Sequence, residues 1–229
     1  MFPCFCSKKK KKQKKTYTFN EKRKQYPNAY KPWCDKDDEQ LISLCNKKKD
    51  IKALKELDLS MKPSLDFARD MFMFSFYTRG MSFVDMAYLR KTDLQNGILT
   101  YRRRKTGQEL TIKWEKCMAE IIAKYPENQT DFLLPIIKEQ GNERRQYDNA
   151  LHLVNYRLKE LSTMLKLQRP LTMYVARHSW ASAAKAKNVP LSVISEGMGH
   201  DSEATTQIYL ASLETSVVDK ANKMILGLL

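Results

Sequence analysis

From residue 52 onward, apolar and polar positions recur with a period that changes along the chain, and each change marks an element. The stretch 65–77, LDFARDMFMFSFY, is apolar nearly all round, which predicts a helix sunk in a core. Pro63 and Ser64 stand where such a helix starts, and Gly80 where it breaks. Ser82 and Asp85 have capping-box spacing and predict a second helix through about Arg90. Gly97 then marks a turn and the period falls to two. Residues 98–102 (ILTYR) and 109–113 (ELTIK) read as strands joined through a Lys-Thr-Gly-Gln turn. Helical spacing returns at 115–125 and, after Gly141-Asn142, at 146–166. Shorter helical stretches follow near 176–187, 191–197 and 203–211. At the end, Val217, Val218, Ala221, Met224, Ile225 and Leu228 share one face of an amphipathic helix. The fold class expected is mainly α with a small antiparallel β-sheet (α+β).

Upstream the pattern differs. Residues 1–32 carry SKKKKKQKK and EKRK with little apolar periodicity, which predicts a disordered basic arm. In 33–51, acids from Asp35 to Glu39 precede an apolar stripe of Leu41, Leu44 and Cys45, a short helical segment with its carboxylates at the positive end of the dipole. Residues 52–229 form the main domain.

Composition adds a partner. Lys and Arg number 41 against 26 Asp and Glu, a net +15, which points to a polyanion and most simply to nucleic acid. The first 50 residues hold 15 of those cations against 6 acids, a net +9. Chemistry in the remainder must therefore come from particular placed cations. Five cysteines without CxxC spacing read as reduced thiols of a cytoplasmic protein, with neither a disulfide frame nor a zinc site. No apolar run approaches the roughly 18 residues of a membrane span, and no apolar segment precedes the N-terminal lysines as in a secretory signal. Cys4 and Cys6 beside the polybasic run leave an acylated anchor as a lesser alternative.

The candidate chemistry sits in widely separated residues. His200 follows Arg177 by 23 positions and Tyr209 follows His200 by nine; Lys105 lies at the hairpin tip and Arg79 at the helix break. Guanidinium groups grip phosphate oxygens with a planar fork and stay charged at any relevant pH. A tyrosine becomes a nucleophile when cations around it favour the phenolate. Together these groups suit phosphoryl transfer. With no Gly-rich phosphate loop and no carboxylate cluster, that chemistry would use neither nucleotide, metal nor other cofactor.

RHSWASAAKAKNVPLSVISEGMGHDSEATTQIYL, from Arg177 to Leu210, resembles the C-terminal signature of the tyrosine recombinase (phage integrase) family. An arginine, a GH pair and a TTxxY follow one another at the family's intervals. KTG at 105–107 matches the family's hairpin lysine, and LRKTDL at 89–94 also fits. The resemblance spans roughly 52–229 and is closest to integrases of conjugative transposons. It implies a catalytic domain that cuts and rejoins double-stranded DNA as a homotetramer on paired sites, with accessory DNA-bending proteins as further partners. It also implies roles. Tyr209 attacks the phosphodiester and forms a 3′-phosphotyrosyl bond, Arg177 and His200 polarise the phosphate, and Lys105 protonates the leaving oxygen. Arg102, Arg103 and Arg104 are expected to contact DNA.

Two positions depart from the family. Tyr174 stands where a histidine is usual; it can hydrogen-bond a phosphate oxygen but cannot add charge. Ser82 stands where the first arginine is usual. Arg79, across Gly80, either replaces that guanidinium or caps the carbonyls of the preceding helix. His178 and Trp180 are expected to pack in the core. The C-terminal helix either docks on a neighbouring protomer or packs in cis. Members of the family carry a helical core-binding domain before the catalytic one, and only residues 1–51 precede it in this chain. A catalytically impaired DNA-binding remnant is therefore the alternative, and a nicking-closing topoisomerase a third reading.

Overall fold

The architecture grows around one buried helix. The computed structural model describes residues 48–167, 169–200 and 202–210, all within the unit Asp35–Leu229. The basic arm at 1–32, residues 33–47 of the short helical segment and the amphipathic stretch after Leu210 lie outside the described residues. Helices are α1 (Lys48–Glu56), α2 (Pro63–Tyr77), α3 (Phe83–Ala87), α4 (Lys116–Ala123), α5 (Glu143–Met164), α6 (Met173–Ala186), α7 (Leu191–Met198) and α8 (Glu203–Leu210). Strands β1 (Leu94–Gln95), β2 (Ile98–Arg102) and β3 (Glu109–Lys113) form an antiparallel sheet in that order.

α2 buries Leu65, Ala68, Met71, Phe72, Met73 and Phe74, so it has no solvent face over its middle turns. α4, α5 and α6 pack on it. Its one buried acid, Asp70, is held by Lys124 Nζ at 2.5 Å and by the Tyr125 hydroxyl at 2.8 Å, pairing that offsets the cost of a charge in the core. The sheet lies beside this layer with Leu99, Tyr101, Leu110 and Ile112 turned inward, the period-two face of each strand. Pairing of Leu99 with Ile112 and of Tyr101 with Leu110 fixes the register, because a one-residue slip of either strand would expose both of its apolar residues. A second, smaller core of Ala181, Ile194, Met198 and Leu210 joins α6, α7 and α8.

Several boundaries differ from the sequence expectation. The helix expected to reach Arg90 ends at Ala87, because Leu89 accepts from Leu133 N–H (2.7 Å) and Arg90 bridges Phe132. The chain is pulled into extended pairing before another turn can form. α6 begins at Met173, three residues early: the Thr172 hydroxyl accepts from Val175 N–H, and Asn155 Oδ1 on α5 accepts from Met173 N–H (2.9 Å). The strand β1 was not expected at all. The segment 124–142 contains no helix and is shaped by buried Asn128, whose amide donates to the carbonyls of Leu134 and Ile137.

Phe74 is fully buried and meets Trp114 edge to face at 6.0 Å. Phe74→Ala should cost about 3–5 kcal/mol, read as a lower urea midpoint at unchanged slope.

Candidate active site

Arg177 lies on the buried face of α6, one turn from its N-terminus, and is 6% exposed. Its Nη1 donates to the Gly80 carbonyl at 2.7 Å and its Nη2 to the Met198 carbonyl at 2.6 Å. Two backbone segments far apart in sequence thus hold the guanidinium in one plane. The approach needs a glycine: a β-carbon at Gly80 would fall 2.8 Å from Arg177 Cα and 2.9 Å from its Cγ. Gly80 also has φ +76°, which follows Arg79 at φ 60°. Two successive left-handed residues turn the chain sharply enough to aim the carbonyl.

Gly199 closes α7 in a left-handed conformation, and its N–H and that of His200 bond back to Glu196 and Ser195. A β-carbon there would meet Leu110 Cδ1 at 2.9 Å and Arg103 Cδ at 3.3 Å, so the α7 end rests directly on the hairpin. Arg103 Nη1 donates to the Gly199 carbonyl. His200 is buried, and its Nδ1 lies 2.7 Å from Thr206 Oγ1 on α8. Burial, then the charges of Arg177, Arg103 and Lys105, push the imidazole down from its ordinary 6.5 to about 4. His178 goes to about 3 through burial, Arg177 and His200. Both rings are neutral at pH 7.

The three arginines of the hairpin do different things. Arg102 is exposed and pairs with Glu109 at 3.3 Å. Arg103 continues the inward phase of Tyr101 and is 7% exposed. Arg104 stacks over the Tyr88 ring at 4.0 Å, while its N–H donates to Asp85 Oδ1 at 2.9 Å. Asp85 also takes the Ser82 hydroxyl at 2.5 Å, so this buried carboxylate joins the head of α3 to the hairpin. Lys105 is exposed at the turn, close enough for its charge to reach His200. The buried Tyr101 phenol is pushed up by burial and Asp85 against the opposing charges of Arg177, Arg103 and Arg79. Among the described residues no hydrogen bond from Arg79 caps α2; the carbonyls of Phe74 and Ser75 accept from the Thr78 and Gly80 N–H groups and the Thr78 hydroxyl. The Arg79 Cδ instead faces Gly197.

Ser82, Tyr174 and Arg177 open onto one cleft of ≈ 300 Å³ between α3, α5 and α6. Tyr174 is exposed and meets His178 edge to face at 4.3 Å. Tyr209 is on α8, three residues after buried Thr206 and one before buried Leu210, whose carbonyl accepts from Lys185 Nζ at 3.0 Å. The Tyr209 side chain itself lies outside the described residues. Among the described residues no group of three His, Cys, Asp or Glu is arranged to hold a metal, and no helix is long and apolar enough to cross a membrane.

A model of the phage integrase family matches residues 51–215, most of the chain. The chain belongs to that family. Among its integrase relatives, tyrosine recombinase XerA of Thermococcus kodakarensis is 27% identical over 135 residues, covering 58% of this chain and 47% of that protein. A probable integrase/recombinase protein of Methanocaldococcus jannaschii is 30% identical over 129 residues, covering 53% and 38%. The chain thus spans less than half the length of either relative. The fold is shared with the XerH site-specific recombinase, solved bound to palindromic difH substrate in a post-cleavage complex (TM-score 0.50, 16% identity, 82% of this chain and 51% of that one).

The sequence pattern singled out Arg177, His200 and Lys105. It did not mark Arg103 as inward, nor Thr206 and Asp85 as partners within the site. Extending the period-two phase of β2 past Tyr101 would have turned Arg103 inward. The Thr206 and Asp85 contacts have no sequence signal beyond helix spacing.

Two tests follow from the geometry. Gly80→Ala should lose more than about 1 kcal/mol of stability from its positive φ alone, and the contact with Arg177 should raise that loss in urea unfolding. Because both imidazoles have depressed values in the fold, the unfolded chain binds more protons below pH 6.5. Stability is therefore complete above pH 6.5 and falls below it, the His200 contribution being lost by about pH 4 and that of His178 by about pH 3. His178→Gln should flatten the lower part of that profile in unfolding midpoints measured from pH 7 to 3.

Proposed function

We propose that this chain is a site-specific DNA recombinase that cuts and rejoins duplex DNA through a 3′-phosphotyrosyl intermediate. The observation that carries the reading is the buried Arg177 guanidinium, held by the carbonyls of Gly80 and Met198 beside a neutral His200. That pocket presents fixed cationic and N–H donors while costing no rearrangement when charge develops on phosphorus. The Tyr209 oxygen attacks phosphorus, the P–O5′ bond breaks, and the phenolic proton passes to solvent. Lys105 gives a proton to the departing O5′. With Thr206 donating to Nδ1, His200 keeps an N–H on Nε2 for a phosphate oxygen. Tyr174, at the cleft, adds a neutral donor. Attack by a 5′-hydroxyl of a partner strand reverses the step and rejoins the DNA, so phosphodiester bond energy is conserved and no ATP is consumed.

The exposed face of the hairpin, with Arg102 and Lys105, meets the DNA backbone, where charge positions a duplex without reading its sequence. Ser82 orders the head of α3, and Arg79 braces the turn behind it with its Cδ toward Gly197. Recombination takes place on paired sites in a homotetramer, in the cytoplasm, where accessory proteins bend the DNA.

The test uses the full chain and a library of nicked suicide duplexes, resolved on a denaturing gel. A covalent protein–DNA adduct is expected, absent in Tyr209→Phe and reduced on the order of 100-fold or more in Arg177→Ala. DNA retention in a shift assay without any adduct would establish the impaired DNA-binding remnant instead.

A further inference from the structure

We propose that Arg103 provides a second guanidinium to the scissile phosphate, from the hairpin side of the pocket. The inference rests on the recombinase reading and names a residue that the reading leaves as a general DNA contact.

Charge in the buried part of the site is unbalanced around this residue. Arg103 is 7% exposed, and a charge that deep is stable only against an anion or a full set of hydrogen bonds. Among the described residues it forms no ion pair. Among the described residues its one side-chain hydrogen bond is to a neutral carbonyl, that of Gly199, and its Nε is buried without a partner. The neighbouring arginines are already engaged: Arg102 with Glu109 and Arg104 on the Tyr88 ring. Arg177 spends both terminal nitrogens on carbonyls that orient it. Ser82, at the head of α3, brings no charge. An anion arriving beside His200 would therefore find in Arg103 a buried cation that no carboxylate balances.

Placement agrees. Arg103 bonds the residue immediately before His200, and its charge is felt at His200 after only that of Arg177. Gly199 makes the approach feasible, since any β-carbon there would crowd Arg103 Cδ at 3.3 Å. Arg79 is the competing source. It is only half-buried, its Cδ lies toward Gly197, and Tyr101 feels Arg103 more strongly than Arg79. In the transition state the phosphoryl group has bonds to both Tyr209 and O5′, and extra negative charge spreads over two non-bridging oxygens. Arg177 on one side and Arg103 on the other meet that charge with one guanidinium each.

The deciding experiment replaces one non-bridging oxygen of the scissile phosphate with a methyl group, so that the reacting centre starts neutral. Adduct formation is measured with wild type, Arg103→Ala, Arg103→Lys and Arg79→Ala on phosphate and methylphosphonate suicide duplexes. On phosphate, Arg103→Ala should fall on the order of 100-fold and Arg103→Lys much less. On methylphosphonate, Arg103→Ala should match wild type, because little charge is left to stabilise, while Arg79→Ala should show the same relative rate on both. Equal loss by Arg103→Ala on both substrates would reduce the residue to a strut under the hairpin and overturn the inference, leaving the recombinase reading intact. Rescue of Arg79→Ala in place of Arg103→Ala would overturn it in favour of Arg79. No Tyr209-dependent adduct from wild type on either duplex would sink both.

Discussion

The two hydrogen bonds from the Arg177 guanidinium to the carbonyls of Gly80 and Met198 are the constraint on which the remaining site geometry depends. They tie the break after α2 to the end of α7 through a single planar group on α6. Each carbonyl can be presented only because the chain turns left-handed next to it, at Arg79-Gly80 and at Gly199. Removing either turn would leave a buried charge with half of its orientation lost. The cation is therefore the rivet between three elements, and the two glycines, with no chemistry of their own, are as restricted as the arginine.

Around that rivet the protein accumulates positive charge and then keeps its histidines out of the count. His178 and His200 are neutral because burial and the arginines act in the same direction on an imidazole. A neutral ring retains both a donor and an acceptor, whereas a protonated one would be repelled by the neighbouring arginines. Asp85 is the counterweight. It is buried, fixed by the Ser82 hydroxyl and the Arg104 N–H, and it joins α3 to the hairpin that brings Arg103 and Lys105. The main core, built around α2, carries none of this chemistry and supplies the rigidity that lets a few polar contacts define positions.

Local patterns were legible where the driving force is local. The all-apolar α2, the two hairpin strands and the helices near 191–197 and 203–211 follow from period and punctuation, since burial of a face or an alternating strand leaves a direct trace in residue order. The helix expected to continue to Arg90 shows the limit. Its residues have adequate helical pattern, but pairing of Leu89 and Arg90 with 132–133 satisfies the backbone in another way. α6 started early for a similar reason, because Asn155, 18 residues away, accepts one of its first N–H groups. Boundaries set by distant partners cannot be read from neighbours along the chain.

The same division holds for the candidate site. By itself the sequence determined the chemistry available: an arginine, a histidine, a lysine and a tyrosine at intervals shared with the integrase family, and a chain charged for a polyanion. It also showed where the usual set is broken, at Ser82 and Tyr174. Only the tertiary structure decided what each cation meets. Arg102, Arg103 and Arg104 are identical in type and adjacent in sequence, yet one pairs with Glu109 at the surface, one is buried against Gly199 and one stacks on Tyr88. A guanidinium has no intrinsic preference among a carboxylate, a carbonyl and an aromatic face. The strand phase and the neighbours brought by the fold choose for it.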